Sequence, residues 1–346
     1  MGRNPMHTSK WIVPLLPAVL LSFLLFHLGC GGGKGDINNI QYDPYRNTVL
    51  GPAVQYTSGG VCLAKTVIAD MNGDWRKDIV SIQRVNDGQK IFIYYQNEEK
   101  TFDAPFIITV DLRLRGVAAG DVNGDGRVDL VVSGISTTTL AGFLGQIRVL
   151  YQDPISGALS PPVAHSTTTN NVGDLAIADL NSDGRNDIVV LGAWESKPQL
   201  GNLSIFFQNP DGTLGSEVLY DKVFVNFTGE IHVADMDGDG DNDIIFQSLG
   251  NLVVARQILP GIFSDIPDIY PLPTNLTSFD IGDVNGDGRK DVVVMDSSSN
   301  DDRLVFFYQD IQGALGPPVV VPIPGGGTFG IEITDIDGDG LNDIWQ

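Results

Sequence analysis

Little in this sequence suits a disulfide-built or catalytic protein. Cysteine occurs twice, at Cys30 and Cys62, so no framework of bridges can hold the fold; Cys62 reads as a packed strand residue. Histidine occurs four times. His7 and His27 lie in the N-terminal export segment, which leaves His165 and His232, the latter expected as a packed or solvated strand residue. No HExxH, GxSxG, CxxC or Walker loop is present, which removes the usual signatures of zinc hydrolysis, nucleophilic catalysis and nucleotide binding. Basic residues are scarce: 21 Lys and Arg stand against 43 Asp and Glu, a formal charge of −22 that argues against nucleic acid as a partner. Glycine is plentiful, at 41 residues, and joins 19 prolines in disfavouring long helices, while the apolar content still supports a core.

Residues 1–30 form a segment of their own. Arg3 and Lys10 precede or flank the run WIVPLLPAVLLSFLLFHLG, which ends at Cys30 and has the layout of an export signal. Its length would also serve a transmembrane anchor. Pro14 and Pro17 count against that, and GCGGGKG has the composition of a processing site followed by a flexible tether over residues 31–37. Gly29-Cys30 resembles the end of a bacterial lipoprotein signal, which implies acylation of Cys30 and a membrane-anchored place in the cell envelope; His27 and Leu28 depart from that pattern. A cleaved signal that releases a secreted protein, or an uncleaved anchor, stays open.

The remainder, residues 38–346, is expected as one domain, because one acidic string recurs along it. ADMNGDWRKDIV starts at Ala69, GDVNGDGRVDLV at Gly120, ADLNSDGRNDIV at Ala178, ADMDGDGDNDII at Ala234, GDVNGDGRKDVV at Gly282 and TDIDGDGLNDIW at Thr334. The intervals between first aspartates are 51, 58, 56, 48 and 52 residues, a period that points to a propeller or solenoid. Each string lies between two short apolar runs; a third follows (IFIYYQN, IRVLYQD, LSIFFQN, LVVARQI, LVFFYQD) and then a fourth beyond a turn. Four strands per repeat make a propeller blade. Residues 41–56 match the second half of a unit and the C-terminal run matches only a first half, so the two are expected to close one blade together and leave no open sheet edge. The reading is an all-β propeller of six blades, with seven as the alternative.

Alternating oxygens within the string are the pattern of a calcium loop: hard oxygen ligands at positions 1, 3, 5 and 9, a backbone carbonyl at 7 and glycine at 6. The six sets are Asp70, Asn72, Asp74, Arg76 and Asp78; Asp121, Asn123, Asp125, Arg127 and Asp129; Asp179, Asn181, Asp183, Arg185 and Asp187; Asp235, Asp237, Asp239, Asp241 and Asp243; Asp283, Asn285, Asp287, Arg289 and Asp291; and Asp335, Asp337, Asp339, Leu341 and Asp343. Side chains at position 7 are expected to face water. An EF-hand is disfavoured because position 12 is Ser81, Val132 or Val190 rather than Glu, and because the flanks are strand-like. Solvated acidic turns without metal would not explain why 21 of the 43 acids gather at these places. Loops 4 and 6 carry four ligand carboxylates each and are expected to bind most tightly. In loop 1, Trp75 replaces the position-6 glycine, and a bulky residue at positive φ is strained, so this site is expected to be weakest or empty.

With these strings, the chain resembles FG-GAP and VCBS repeat proteins, the propeller type also found in integrin α subunits. The Phe-Gly of that name survives at Phe329-Gly330, with Gly116, Gly173 and Gly229 at corresponding places and Gly192-Ala193 echoing its second half. The resemblance implies about five or six structural Ca²⁺ ions, each between the first two strands of a blade. It implies nothing specific about catalysis. The expectation is a monomeric, non-enzymatic binding or adhesion module for protein or glycan; a polysaccharide lyase or hydrolase, and a purely structural envelope component, are the alternatives. The segments 133–146 and 192–202 are expected as long ligand-contacting loops; Trp194 is either a platform for a sugar or an incidental exposed aromatic, and both readings stay open. Asn202, Asn226 and Asn275 begin N-x-S/T matches, which mean little if the lipoprotein resemblance holds and the protein is bacterial.

Overall fold

A computed structural model describes residues 63–83, 89–136, 145–169, 171–194, 197–221, 229–272, 278–296, 303–322, 330–334 and 342–345. All belong to one compact unit, Gly60–Gln346. The export segment, the tether, Cys30, Cys62 and the segment 41–56 lie outside the described residues.

Short β-branched runs bounded by turn residues form strands throughout, as their composition dictates. Blade 1 is built from β1 (Leu63–Ala69), β2 (Asp78–Gln83), β3 (Lys90–Tyr94) and β4 (Phe106–Thr109). Blade 2 uses β5 (Leu112–Gly120), β6 (Asp129–Ser136), β7 (Gly145–Leu150) and β8 (Val163–Ser166). Blade 3 uses β9 (Asn171–Ala178), β10 (Asp187–Trp194), β11 (Lys197–Phe206) and β12 (Val218–Tyr220). Blade 4 has β13 (Ile231–Ala234), β14 (Asp243–Ser248) and β15 (Asn251–Ala255), then a small hairpin of β16 (Gln257–Leu259) and β17 (Ile262–Phe263) before β18 (Asp268–Pro271). Blade 5 uses β19 (Ser278–Gly282), β20 (Asp291–Asp296), β21 (Arg303–Phe307) and β22 (Val319–Pro322). Every pairing is antiparallel and joins consecutive strands of a blade, β15 reaching β18 past the small hairpin, so the acidic loops and the turns between third and fourth strands lie at the same end of each blade.

The described residues form a β-propeller of five four-stranded blades, where six, or alternatively seven, were expected. The stretch around the sixth acidic string contributes only a pair, β23 (Glu332–Thr334) with β24 (Asp343–Trp345). The reason is local: that stretch carries only the two strands that flank a loop, and the outer strands assigned to 41–56 lie outside the described residues.

Middle strands are buried on both faces because a blade stands on either side of them. β6, β7 and β20 are buried along their whole length, whereas the outer strands β8 and β22 are mostly exposed. The core is accordingly a series of seams. Val131, Ile147 and Val149 of blade 2 meet Val172, Leu175, Ile188 and Val190 of blade 3, and similar clusters join blades 1 and 2, 3 and 4, and 4 and 5. Each fully buried aliphatic side chain contributes about 1.5–3 kcal/mol.

Of two expected loops, 192–202 proves to be mostly strand, and the ends of 133–146 are strand while residues 137–144 lie outside the described residues. Residues 133–136 and 145–146 belong to β6 and β7, and 192–194 and 197–202 extend β10 and β11 into a long hairpin. Cross-strand pairing, with one register shift between Ala193 and Trp194, outcompetes the glycine and proline of the second segment. Trp194 ends β10, and nothing of its side chain is described. Asn202 is buried, so its sequon is closed to modification.

Candidate metal loops

Five of the six acidic strings, loops 1 to 5, are described, and they share one backbone scaffold. Position 1 organises the turn: Asp70, Asp121, Asp179, Asp235 and Asp283 each accept the position-3 N–H on Oδ1, at 3.2–3.3 Å, and the position-6 N–H on Oδ2, at 2.7–3.0 Å. Position 3 accepts the N–H of position 5, and position 5 accepts that of position 7, as in Asp125 to Asn123 Oδ1 at 2.9 Å and Arg127 to Asp125 Oδ1 at 2.8 Å. Two residues per loop take left-handed φ. Position 6 does so as expected, with Gly126, Gly184, Gly240 and Gly288 at +81° to +94° and Trp75 at +69°. Position 4 does so as well, filled by glycine except at Ser182, φ +57°.

Position 9 is the buried anchor. Asp78, Asp129, Asp187, Asp243 and Asp291 are at most 1% exposed. Each receives the position-2 N–H on Oδ2 and, on Oδ1, the N–H of a glutamine that follows the third strand: Gln96, Gln152, Gln208, Gln257 or Gln309. Burial pushes these carboxyls up, to about 6 at Asp129 and Asp187 and about 7 at Asp243, with the two backbone N–H groups opposing it. The glutamine was visible in every third run (YYQN, LYQD, FFQN, ARQI, FYQD), but its role depends on a contact some 14 to 23 residues away.

Position 7 corrects the expectation of a water-facing side chain. Arg76, Arg185 and Arg289 turn back to pair with the position-5 carboxylates of Asp74, Asp183 and Asp287. Their Nε groups also donate to the carbonyls of Gln96, Gln208 and Gln309 at 2.8–3.1 Å. Arg127 donates instead to Pro154 O at 2.9 Å. A guanidinium beside a surplus of carboxylate is held by charge, which outweighs its hydration. Loop 6 is not described at Asp335, Asp337, Asp339 and Leu341; Asp343 opens β24, and nothing of its side chain is described.

The residues fit a hard divalent cation. In loop 4 the carboxylates of Asp235, Asp237 and Asp239 offer oxygens that all lie within 4.8 Å of one another. Ligands at about 2.3–2.6 Å from a shared Ca²⁺ require such convergence. In loops 1, 2, 3 and 5 an asparagine stands at position 3 on the same backbone.

Each loop is also held from the next blade. The left-handed turn glycines Gly157, Gly212 and Gly313 lie too close to the position-3 residues Asn72, Asn123 and Asp237 of the preceding blade to carry a side chain; a Cβ on Gly157 would stand 1.9 Å from Asn72 O, and one on Gly212 2.4 Å from Asn123 O, while Gly261 sits at ordinary contact with Asn181. Amides reach the same way. Asn186, Asn242 and Asn342 donate to the position-1 carbonyls of Asp121, Asp179 and Asp283 at 2.9–3.0 Å, and Gln152 donates to that of Asp70 at 3.2 Å. The loops are therefore blade-to-blade clamps.

A second titratable cluster lines the inner strands. Lys65 pairs with Asp174 two blades away, across Gly116, where a Cβ would meet Asp174 at about 2.9 Å. The carboxylates here cap N–H groups on the next blade's inner strand: Glu230 accepts from Phe279 at 3.0 Å and Asp280 from Ile333 at 2.7 Å. His232 packs 4.6 Å from the Phe279 ring, with Nδ1 3.5 Å from Asp280. Burial, aided by Lys65, holds its value down to about 4, while burial raises Asp280 to about 6. The cluster's described partners are structural, with an inner-strand edge satisfied blade by blade.

The repeat family described as FG-GAP-like repeat matches residues 70–132, 179–246, 235–294 and 283–345, each span running from one acidic loop towards the next. Integrin alpha pat-2 of Caenorhabditis briggsae is 30% identical over 155 residues, covering 39% of this chain and 12% of that protein; the chain thus spans only a small part of this relative. Among solved structures, an Agrocybe aegerita lectin that recognises non-reducing terminal N-acetylglucosamine aligns over 83% of this chain and 75% of its own, with 19% identity and a TM-score of 0.51. The Vibrio cholerae biofilm matrix protein Bap1 aligns over 74% of this chain and 39% of its own, with 16% identity and a TM-score of 0.38.

Proposed function

This chain belongs to the FG-GAP-like repeat family, and from that premise we propose that it is a calcium-stabilised binding module, without catalytic activity, for protein or glycan outside the cytoplasm. The observation that carries the reading is the repeated scaffold: five described loops with the same hydrogen bonds, a buried position-9 carboxylate in each, and converging oxygens in loop 4. Calcium supplies charge that offsets these carboxylates and holds each loop against the next blade. Positions 1, 3, 5 and 9 would hold it through side chains and position 7 through its carbonyl. At ten times the dissociation constant each ion adds about 1.4 kcal/mol, so five or six would add about 7–8, comparable with a whole domain's stability of about 5–15 kcal/mol.

Two features support binding over catalysis. The described histidine–carboxylate group on the inner strands is committed to backbone capping and packing, and the likeness in fold to a lectin supports a glycan as ligand. The lipoprotein-like ending at Cys30 supports tethering to the envelope membrane. Among the described residues no helix is long and apolar enough to cross a membrane.

The test is calcium stoichiometry and melting temperature, with and without chelator, followed by a glycan array and a pull-down from envelope extract in calcium. Uptake of about five ions with a large chelator-induced drop in Tm, and a calcium-dependent ligand, is the expected result. An unchanged melt and no bound calcium would overturn the calcium reading, and turnover of an arrayed polysaccharide would replace binder with enzyme.

A further inference from the structure

The fourth loop contains a cation of its own. Arg256 follows β15 directly, at the place where the other blades carry Tyr95, Tyr151, Phe207 and Tyr308. Packing therefore does not require a guanidinium there. Its Nε donates to Asp268 Oδ2 at 2.7 Å and its Nη2 to Gly313 O, in the next blade's turn, at 2.6 Å. These two bonds aim Nη1 into the loop, 3.2 Å from Asp237 Oδ2 and 3.7 Å from Asp243 Oδ2. Nη1 is buried and makes no well-aligned hydrogen bond, so charge is what holds it there.

The contrast with the other loops is one of position. In loops 1, 3 and 5 the arginine comes from position 7 and pairs with the outer oxygen of position 5. Loop 4 has Asp241 at position 7, and its guanidinium approaches from behind, against the carboxylates of positions 3 and 9. A divalent ion in the loop would draw on those same carboxylates. Two cations sharing them at a few ångströms repel strongly, because the site is partly buried and poorly screened. Arg256 cannot retreat without losing Asp268 and Gly313.

We infer that Arg256 is a resident cation of the fourth loop that competes with calcium for Asp237 and Asp243. This rests on the calcium reading above. Loop 4, with five aspartates, then binds calcium less tightly than its carboxylates imply, and keeps its shape when the ion leaves. It becomes the site whose occupancy follows the surrounding calcium concentration, and Gly313 conveys the change to the seam between blades 4 and 5.

The test is a calorimetric calcium titration of the full chain as wild type, R256Q, R256K and R256Q/D239N, with the melting temperature of each in chelator. R256Q is expected to tighten one site at least tenfold, leave the number of sites unchanged and lower Tm in chelator. The gain should vanish in R256Q/D239N, which disables loop 4. Unchanged or weaker binding in R256Q would make Arg256 a strut only and overturn the inference. If R256Q does not fold, R256K serves: an ammonium cannot hold Asp268, Gly313 and the loop together, so a smaller gain is expected and none would overturn the inference. A wild type that binds calcium while R256Q tightens no site overturns this inference and leaves the calcium reading standing, and a wild type that binds none overturns both.

Discussion

In the first loop the position-6 N–H comes from Trp75, at φ +69° and 91% exposed; in the fourth it comes from Gly240, at φ +94°. Loop 1 has three aspartates at its ligand positions and an arginine paired to one of them, while loop 4 has five aspartates and a guanidinium entering from a strand. Yet position 1 accepts the same N–H groups in both, and position 9 is anchored in both to the N–H of a distant glutamine. The comparison teaches that the two jobs of the loop are separable. The backbone scaffold joins the first two strands of a blade whatever the charge, and the side chains on it set what the loop can hold.

The strongest way to break that comparison is to remove the anchor. Asp187→Ala leaves the N–H groups of Leu180 and Gln208 buried without an acceptor, and should cost about 2–6 kcal/mol in denaturant unfolding, with or without calcium. Asp187→Asn, which keeps an acceptor, should cost less. If the alanine variant were destabilised only when calcium is present, the anchor would act through the ion alone and not as scaffold. Next comes the clamp. Gly212→Ala places a Cβ 2.4 Å from Asn123 O at φ +81°, and should cost about 1–3 kcal/mol while weakening calcium at loop 2.

Smaller effects sharpen the difference between the loops. Trp75→Gly removes a left-handed bulky residue that packs on little, and should stabilise by about 1 kcal/mol and tighten loop 1; no change in Tm would mean that the exposed indole has a contact worth keeping. The least effect is one of pH, at the inner strands. The Asp280 carboxyl is raised by burial from 3.8 to about 6, so its contribution to folding is full below 3.8 and is lost as pH rises through about 6. Asp280→Asn, whose amide oxygen can still accept the Ile333 N–H, should therefore gain on the wild type in melts run from pH 4 to 7. A difference that does not move with pH would show the carboxyl already ionised throughout.

Much of this was legible because the repeat states it six times over. The alternation of Asp and Asn, the glycine after position 5 and the flanking β-branched runs are local signals, and β2, β6, β10, β14 and β20 each begin at the position-9 aspartate. Other features were hidden. The left-handed position 4 is marked by Gly73, Gly124, Gly238 and Gly286, but Ser182 in loop 3 breaks the glycine pattern that would announce it. The turning back of Arg76, Arg185 and Arg289 depends on a rotamer that no spacing displays. The hairpin of β10 and β11 reads as a loop because Pro198, Gly192 and Gly201 interrupt its apolar pattern, and only the pairing partner overrides them.

By itself the sequence determined the repeat, the all-β class and the sites of the acidic turns, because each follows from residues within a dozen positions of one another. Tertiary structure alone decided how many complete blades the described residues form, which glutamine anchors which aspartate, that each loop is clamped by its neighbour, and that Arg256 faces Asp237. Those are contacts between segments brought together only when strands pair and blades pack, and no local spacing encodes the direction in which a side chain then points.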